Sequence, residues 1–239
     1  MSDPTLKALL EKNLRAVQSR ILAATKRANR DPHSVRLLAV TKTRPLDAIR
    51  VLHDLGLREF AENRVQDARE RIPELGRDAS WHLIGSLQTN KVKYLPGLFD
   101  VIHTVDRTEL VDALERAFAK SGAPEPLPIY LQFNIAGEEQ KHGAGAAAAD
   151  ELMTRALAAK SLRVVGLMAM APFGNDPEVA RPTFRGLREL RDRLQEKFNH
   201  PLPELSMGMS GDYEVAIEEG ATIVRVGSSL FEGLPTEAP

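Results

Sequence analysis

Eight times along the chain, a short run of β-branched or apolar residues is followed by a longer stretch with helical spacing or, at the end, a brief tail. This alternation constrains the fold more than any other feature. The apolar runs lie at 37–41, 59–62, 81–84, 100–105, 128–135, 164–170, 204–207 and 222–226. The helical patterns between them fall at about 46–55, 64–75, 90–95, 108–120, 146–160, 177–198 and 212–219, with one more at 4–28 before the first run. Parallel strands need crossover connections of this length, so the pattern predicts a parallel sheet with helical crossovers. Eight units in 239 residues match the count and size of a (β/α)8 TIM barrel, which takes roughly 250 residues. A doubly wound open sheet is the competitor, but it would leave some of the runs unassigned. No linker or internal repeat divides the chain, so the expectation is one barrel domain over 1–239, its barrel spanning about 37–231.

Lys plus Arg (32) nearly balances Asp plus Glu (33), and the sequence pI is about 6.6. That offers no electrostatic reason to expect nucleic acid or an anionic membrane as partner. The absence of cysteine removes disulfides, thiolate chemistry and cysteine-ligated metals. No stretch reaches the roughly 20 apolar residues of a membrane span. The first helical pattern, with Asp3-Pro4 as its expected start, is amphipathic and charged throughout, unlike a secretion signal. A cytoplasmic protein is expected.

In a barrel, the C-terminal ends of the strands carry the chemistry. The first strand runs Leu-Leu-Ala-Val-Thr and delivers Lys42 to that rim. A lysine in a low-dielectric strand end is a better nucleophile toward carbonyls, although this segment read alone favours a surface lysine closing a strand. The stretch Ser206-Met207-Gly208-Met209-Ser210-Gly211-Asp212 leaves the seventh strand and enters a helix. Its small residues and the helix start would suit an anion, while Ser210 or Asp212 would also serve as a helix cap. After the eighth strand, Gly227 and Ser228 supply a second set of donors, and barrel enzymes frequently hold phosphate with these two loops. Arg225 alternates with Val224 and Val226 and so points into the barrel, toward a ligand or toward an internal carboxylate.

Other motifs fail their tests. The G-x-G-x-x-A match at 143–148 sits too far from a strand end for a dinucleotide loop, and Gly208-Met209-Ser210-Gly211-Asp212 lacks the last glycine of a nucleophile elbow. The six histidines show no metal-binding spacing, and His82 and His103 read as core or rim histidines. A strand-end lysine, two phosphate loops and an inward arginine together suit an aldehyde that carries a phosphate. Pyridoxal 5′-phosphate (PLP) fits, with Arg225 facing its pyridine nitrogen and disfavouring protonation there.

The motifs LLAVTKT around Lys42, FAENRVQ at 60–66, WHLIGSLQTNK at 81–91, GLMAM at 166–170, LSMGMSGDYE at 205–214 and TIVRVGSSLF at 222–231 resemble those of the pyridoxal phosphate homeostasis proteins. These are PLP-binding barrels related to the alanine racemase N-terminal domain. The resemblance runs from about 37 to 231. It implies that Lys42 is the aldimine (Schiff-base) lysine and that Ser210, Gly211, Gly227 and Ser228 hold the phosphate, largely through backbone N–H groups. It also implies that Arg225 faces the ring nitrogen, that Asn63 lies near the cofactor, and that Met168 and Met207 line the pocket. Lys141 is similar to a lysine implicated in a second PLP contact. The chain departs from the family pattern at Ala61 and Glu232, which bears on local loop shape.

The resemblance places the chain among fold-type III PLP proteins without the C-terminal β domain. Racemases of that type take a second acid/base tyrosine from the β domain, and Tyr94, Tyr130 and Tyr213 lie at no obvious strand end. The expected role is therefore PLP homeostasis, as a carrier or buffer without strong turnover. Its partners would be PLP and PLP-dependent apo-enzymes, and it would be a monomer. The alternative is a PLP-dependent amino-acid racemase-like enzyme.

Overall fold

A computed structural model describes residues 4–76, 78–138, 142–172, 174 and 176–234. Among them are eight strands: β1 (Arg36–Val40), β2 (Glu59–Glu62), β3 (Ser80–Leu83), β4 (Val101–Val105), β5 (Leu127–Gln132), β6 (Leu162–Met168), β7 (Glu204–Ser206) and β8 (Ile223–Val226). They pair in parallel in chain order, and β8 returns to β1, with Leu38 opposite Arg225, to close a barrel. This is a TIM barrel.

The helices are α1 (Pro4–Arg27), α2 (Leu46–Asp54), α3 (Val65–Leu75), α4 (Thr108–Ser121), α5 (Ala149–Leu157), α6 (Arg181–Phe198) and α7 (Tyr213–Glu218). The expected helix at 90–95 is a 3-10 turn, Thr89–Tyr94. The helix expected from 146 opens with a 3-10 turn, Ala146–Ala148, and the one expected from 177 opens with another, Pro177–Ala180. Pro182 stands in the first turn of α6, where a missing N–H is tolerated. The Asp3 cap and Lys141 lie outside the described residues.

Strand periodicity sorts the apolar residues into two cores. Outward-facing residues pack under the helices, as where Phe60 of β2 stacks on Trp81 of β3 with centroids 5.4 Å apart. Inward-facing Leu38, Val40, Ala61, Tyr130, Met168 and Ile223 form a smaller interior core. At the N-terminal end of the barrel, the Arg36 guanidinium bonds Glu59 at 2.8 Å and also pairs with Glu204, to which the Tyr130 hydroxyl donates. Burial, with Glu204 adding to it, raises the Tyr130 pKa above that of an ordinary phenol. Tyr130 therefore keeps its proton and spends its hydroxyl at the end of the barrel away from Lys42.

α7 is pinned from two sides. Arg20 and Arg27 of α1 reach Glu214 at 2.7 and 2.8 Å, and Arg27 reaches Glu218 at 2.9 Å. Behind α7, the buried Glu219 receives Arg181, Arg185 and Arg188 at 3.1–3.2 Å. Burial pushes the Glu219 pKa up, but the guanidiniums outweigh it and hold the carboxyl below its ordinary value. A depressed folded-state pKa stabilises the fold above the unfolded carboxylate pKa, and this contribution fades as pH falls through the lower folded value. Glu219→Gln is expected to destabilise the protein by about 1–3 kcal/mol at pH 7. Thermal melts across pH should show the gap from wild type closing below about pH 4, near the unfolded glutamate pKa. A gap that does not change with pH would show that the charge of Glu219 is not what holds α7.

Candidate functional site

A cavity of about 410 Å³ opens at the C-terminal ends of the strands. Lys42 lies on its rim, two residues beyond β1. The chain on either side is tightly held. Thr41 N donates to Ala61 O (3.0 Å), and the Thr41 hydroxyl lies 2.7 Å from the buried Glu62 carboxylate. Arg71 of α3 donates to Thr41 O at 2.9 Å. Thr43 follows with φ 56°, a left-handed conformation that is strained for a β-branched residue, and Arg44 N closes the turn onto Thr41 O at 3.1 Å. Lys42 itself is exposed. That corrects the expectation of a lysine in a low-dielectric strand end. The chain leaves the sheet at Val40, so the side chain springs from the rim and not from the core.

Next to it, Asn63 lines the cavity just past β2. Its backbone meets Gly85 so closely that a Cβ on Gly85 would sit 1.9 Å from Asn63 O. Only a glycine lets the β2 and β3 ends converge here.

The loops after β7 and β8 meet at Ser210. Its hydroxyl accepts from the N–H groups of Gly227 and Ser229, both at 3.3 Å. One oxygen thus sits in a nest of backbone donors, as an anion's oxygen would. Gly208, at φ +93°, turns the first loop where a Cβ would strike Ala216 and Tyr213 at 2.6 and 2.9 Å. Neither Ser210 nor Asp212 caps α7. Ser210 turns to the β8 loop, and Asp212 Oδ1 turns back to accept from Met209 N at 2.6 Å. With six residues, α7 is also too short to lend much dipole, so the donors here are the loop N–H groups themselves.

Arg225 forms part of the cavity wall at 3% exposure. Its Nη1 donates to Ser206 Oγ (2.8 Å) and its Nη2 to Ala169 O (3.0 Å). Among the described residues, no carboxylate lies within ion-pair distance of it. The internal ion pair left open by the sequence is therefore not formed. Burial pulls its pKa down to about 10, with Asp212 opposing, which still leaves the guanidinium charged at neutral pH.

The fold thus brings together Lys42, Asn63, Ser210, Gly211, Arg225, Gly227 and Ser228. It does not bring in Met168 or Met207. Met168 is fully buried one layer below the rim inside the barrel, because β6 ends there and not at 170. Met207 has the opposite parity to the inward Ser206 and packs under the helices. Met170 and Met209 line the cavity in their place. Ser86, at the end of the third strand run, lines it too, and Thr104 and Gln132 are lining residues that the sequence alone does not mark. Gln132 was obscured because the fifth strand was expected to continue to 135. It ends at Gln132, and Phe133 leaves to bridge Ala144. Asn134, which falls inside the expected run 128–135, instead closes a loop by accepting from Gly137 N at 3.0 Å. His82 and His103 are buried in the barrel as core histidines, and no group of metal-ligating side chains occurs among the described residues.

The chain resembles known proteins along most of its length. The family model "Alanine racemase, N-terminal domain" matches residues 12–235. A pyridoxal phosphate homeostasis protein of Aquifex aeolicus is 45% identical over 219 residues, covering 91% of this chain and 95% of that protein. A human protein of the same name is 39% identical over 232 residues, covering 91% and 84%. The structure of PipY from Synechococcus elongatus with PLP bound superposes at TM-score 0.81 and 34% identity, covering 93% and 99% of the two chains. Alanine racemase of Clostridium difficile shares the fold at TM-score 0.73 and 13% identity, and only 57% of its chain is matched. The chain belongs to the pyridoxal phosphate homeostasis proteins, within the alanine racemase N-terminal-domain family.

Proposed function

We propose that this chain binds PLP reversibly and acts in PLP homeostasis, as a carrier or buffer and not as a turnover enzyme. The observation that carries the reading is the meeting, around one cavity, of a rim lysine, a two-loop nest of backbone donors and a buried arginine with no carboxylate partner among the described residues. These residues fit the cofactor. The nest suits phosphate oxygens, the glycine-lined loops leave room for close approach, and Arg225 needs an acceptor on its cavity side. PLP supplies an aldehyde to which an amine can attach reversibly. Lys42 would provide that amine, and its exposure leaves it open to incoming ligand. Ser210, Gly211, Gly227 and Ser228 would hold the phosphate, and Arg225 would donate to the ring nitrogen. Asn63 would contact the cofactor from β2, and Met170 and Met209 would take the packing role expected of Met168 and Met207.

A donor at the ring nitrogen keeps that nitrogen unprotonated, which makes the ring a weak electron sink. Two-base racemisation also needs a second acid/base across from Lys42. Of the three tyrosines, Tyr130 is committed to Glu204, Tyr213 is buried behind the phosphate loop, and Tyr94 is on the surface beside Arg69 and Lys93. None lines the cavity. The names of the relatives, PipY with its bound PLP among them, support the same reading. Among the described residues no helix is long and apolar enough to cross a membrane. The proposed setting is the cytoplasm, with the monomer as the working form and PLP-dependent apo-enzymes as recipients.

The test is to load the protein with PLP, offer it a panel of L- and D-amino acids, and then add an apo-aminotransferase. The expected result is no sustained racemisation or decarboxylation, together with recovery of the aminotransferase. Robust steady turnover would overturn the carrier reading in favour of a racemase-like enzyme.

A further inference from the structure

The interior of a parallel barrel is ordinarily filled by branched aliphatic side chains. Here it also carries a polar column. Ser80 Oγ lies 3.2 Å from His82 Nε2, and His82 Nδ1 lies 2.8 Å from His103 Nε2. His103 Nδ1 lies 2.8 Å from Ser206 Oγ, which also accepts from Arg225 Nη1 at 2.8 Å. The chain of contacts crosses the barrel from the first residue of β3, through β4 and the last residue of β7, to the arginine of β8. His82, His103, Ser206 and Arg225 are each at most 3% exposed. Of these, only Arg225 reaches the cavity.

Counting hydrogens gives the column a direction. A guanidinium only donates, so Ser206 Oγ accepts from Arg225. The hydroxyl hydrogen of Ser206 then has one neighbour to go to, His103 Nδ1. With Nδ1 accepting, a neutral His103 carries its hydrogen on Nε2 and donates to His82 Nδ1. His82 in turn carries its hydrogen on Nε2 and donates to Ser80 Oγ. The reverse order would leave the Ser206 hydroxyl hydrogen buried without an acceptor, which is unfavourable.

We propose that Ser206, His103 and His82 are positioning residues for Arg225: the one-way column fixes both imidazoles as neutral Nε2–H tautomers and pins the guanidinium with its remaining N–H groups toward the cavity. The inference rests on the PLP reading of that cavity, and it assigns to the column the aim of the donor that meets the ring nitrogen. The surroundings favour neutral imidazoles. After burial, His82, Arg225 and Arg36 in that order lower the pKa of His103, and the Tyr130 ring of β5 stacks on it at 4.1 Å. Burial is the largest influence on both histidines, holding His82 down to about 3 and His103 well below its ordinary value.

The first experiment uses the ligand-free wild-type protein with ¹⁵N-labelled histidine. Long-range proton–nitrogen spectra should show His82 and His103 neutral and Nε2-protonated from pH 6 to 8. The second is PLP titration by absorbance. Ser206→Ala and His103→Leu should each weaken PLP binding by about tenfold, the loss expected for one hydrogen bond to a charged group. His103→Gln keeps one acceptor and one donor, so it should preserve the His82 tautomer and hold affinity within about threefold of wild type. Val165→Ala, which removes interior packing and no polar contact, should lower the melting temperature without changing tautomers or affinity. An Nδ1–H or charged His103 in wild type would overturn the proposal. So would Ser206→Ala or His103→Leu binding PLP as tightly as wild type. Wild-type protein that takes up no PLP at all would instead overturn the reading of the cavity. The ligand-free spectra keep these two failures apart.

Discussion

Lys42→Ala is expected to abolish covalent retention of PLP completely. Wild-type protein treated with PLP and then borohydride should carry the cofactor on the peptide containing Lys42, and the variant should carry none. The visible absorbance of the loaded protein should vanish with it. The chemical reason is local. Among the described cavity residues, Lys42 is the one with a primary amine. The variant should still fold, because Lys42 is exposed and its removal leaves the Thr41–Glu62–Arg71 contacts in place. A stability change within about 0.5 kcal/mol is expected for such a surface position. Residual, non-covalent uptake of PLP should persist, since the donors around Ser210, Gly227 and Arg225 are untouched. A variant that still fixes PLP under borohydride would show that another amine is the tether.

The second large effect is structural. Gly85→Ala would place a Cβ 1.9 Å from Asn63 O and 2.7 Å from Asn63 C. Both are backbone atoms, so no flexible side chain can yield, and the rim between β2 and β3 must open. Gly85 O also accepts the Thr104 hydroxyl at 2.8 Å, so the shift would reach β4. Overpacking of this kind costs about 1–3 kcal/mol, or roughly 2–12 °C in melting temperature for a chain of this size. Because Asn63 and Thr104 line the cavity, PLP affinity should fall in the same variant. Gly211→Ala is the control for stability. A Cβ there meets nothing within 4 Å, so its melting temperature should match wild type. Equal melting temperatures for Gly85→Ala and wild type would show that the convergence of the two strand ends is not tight.

Much of the fold was legible because it depends on local chemistry. Apolar runs of strand length separated by helical patterns leave few arrangements other than a closed parallel barrel, and the closed barrel is found. Lys42, the Ser210 loop and the Gly227 loop follow directly, since strand ends define the rim. What went astray did so at strand ends. The sixth strand was expected to reach 170 and stops at Met168. Parity was right, because side chains two apart share a face, but depth was wrong by one layer. Met168 is therefore interior core, and Met170 meets the cavity. The same error at β5 hid Gln132 behind Asn134. Where a parallel strand ends depends on how long its neighbour continues to offer hydrogen bonds, and that neighbour is remote in sequence.

The barrel, the amine on its rim and the two glycine-serine loops that suit a phosphate can all be read along the chain, because periodicity and residue type act over a few positions. Arg225 could be read as pointing inward, but its partner could not be read. Only closure of the barrel, which sets β8 beside both β7 and β1, gives Arg225 a serine and a carbonyl in place of a carboxylate. The same closure joins His82, His103 and Ser206, residues up to 124 positions apart in the chain (82 to 206), into one column behind that arginine. Hydrogen bonds are made across space, and their partners are decided by strand order and register.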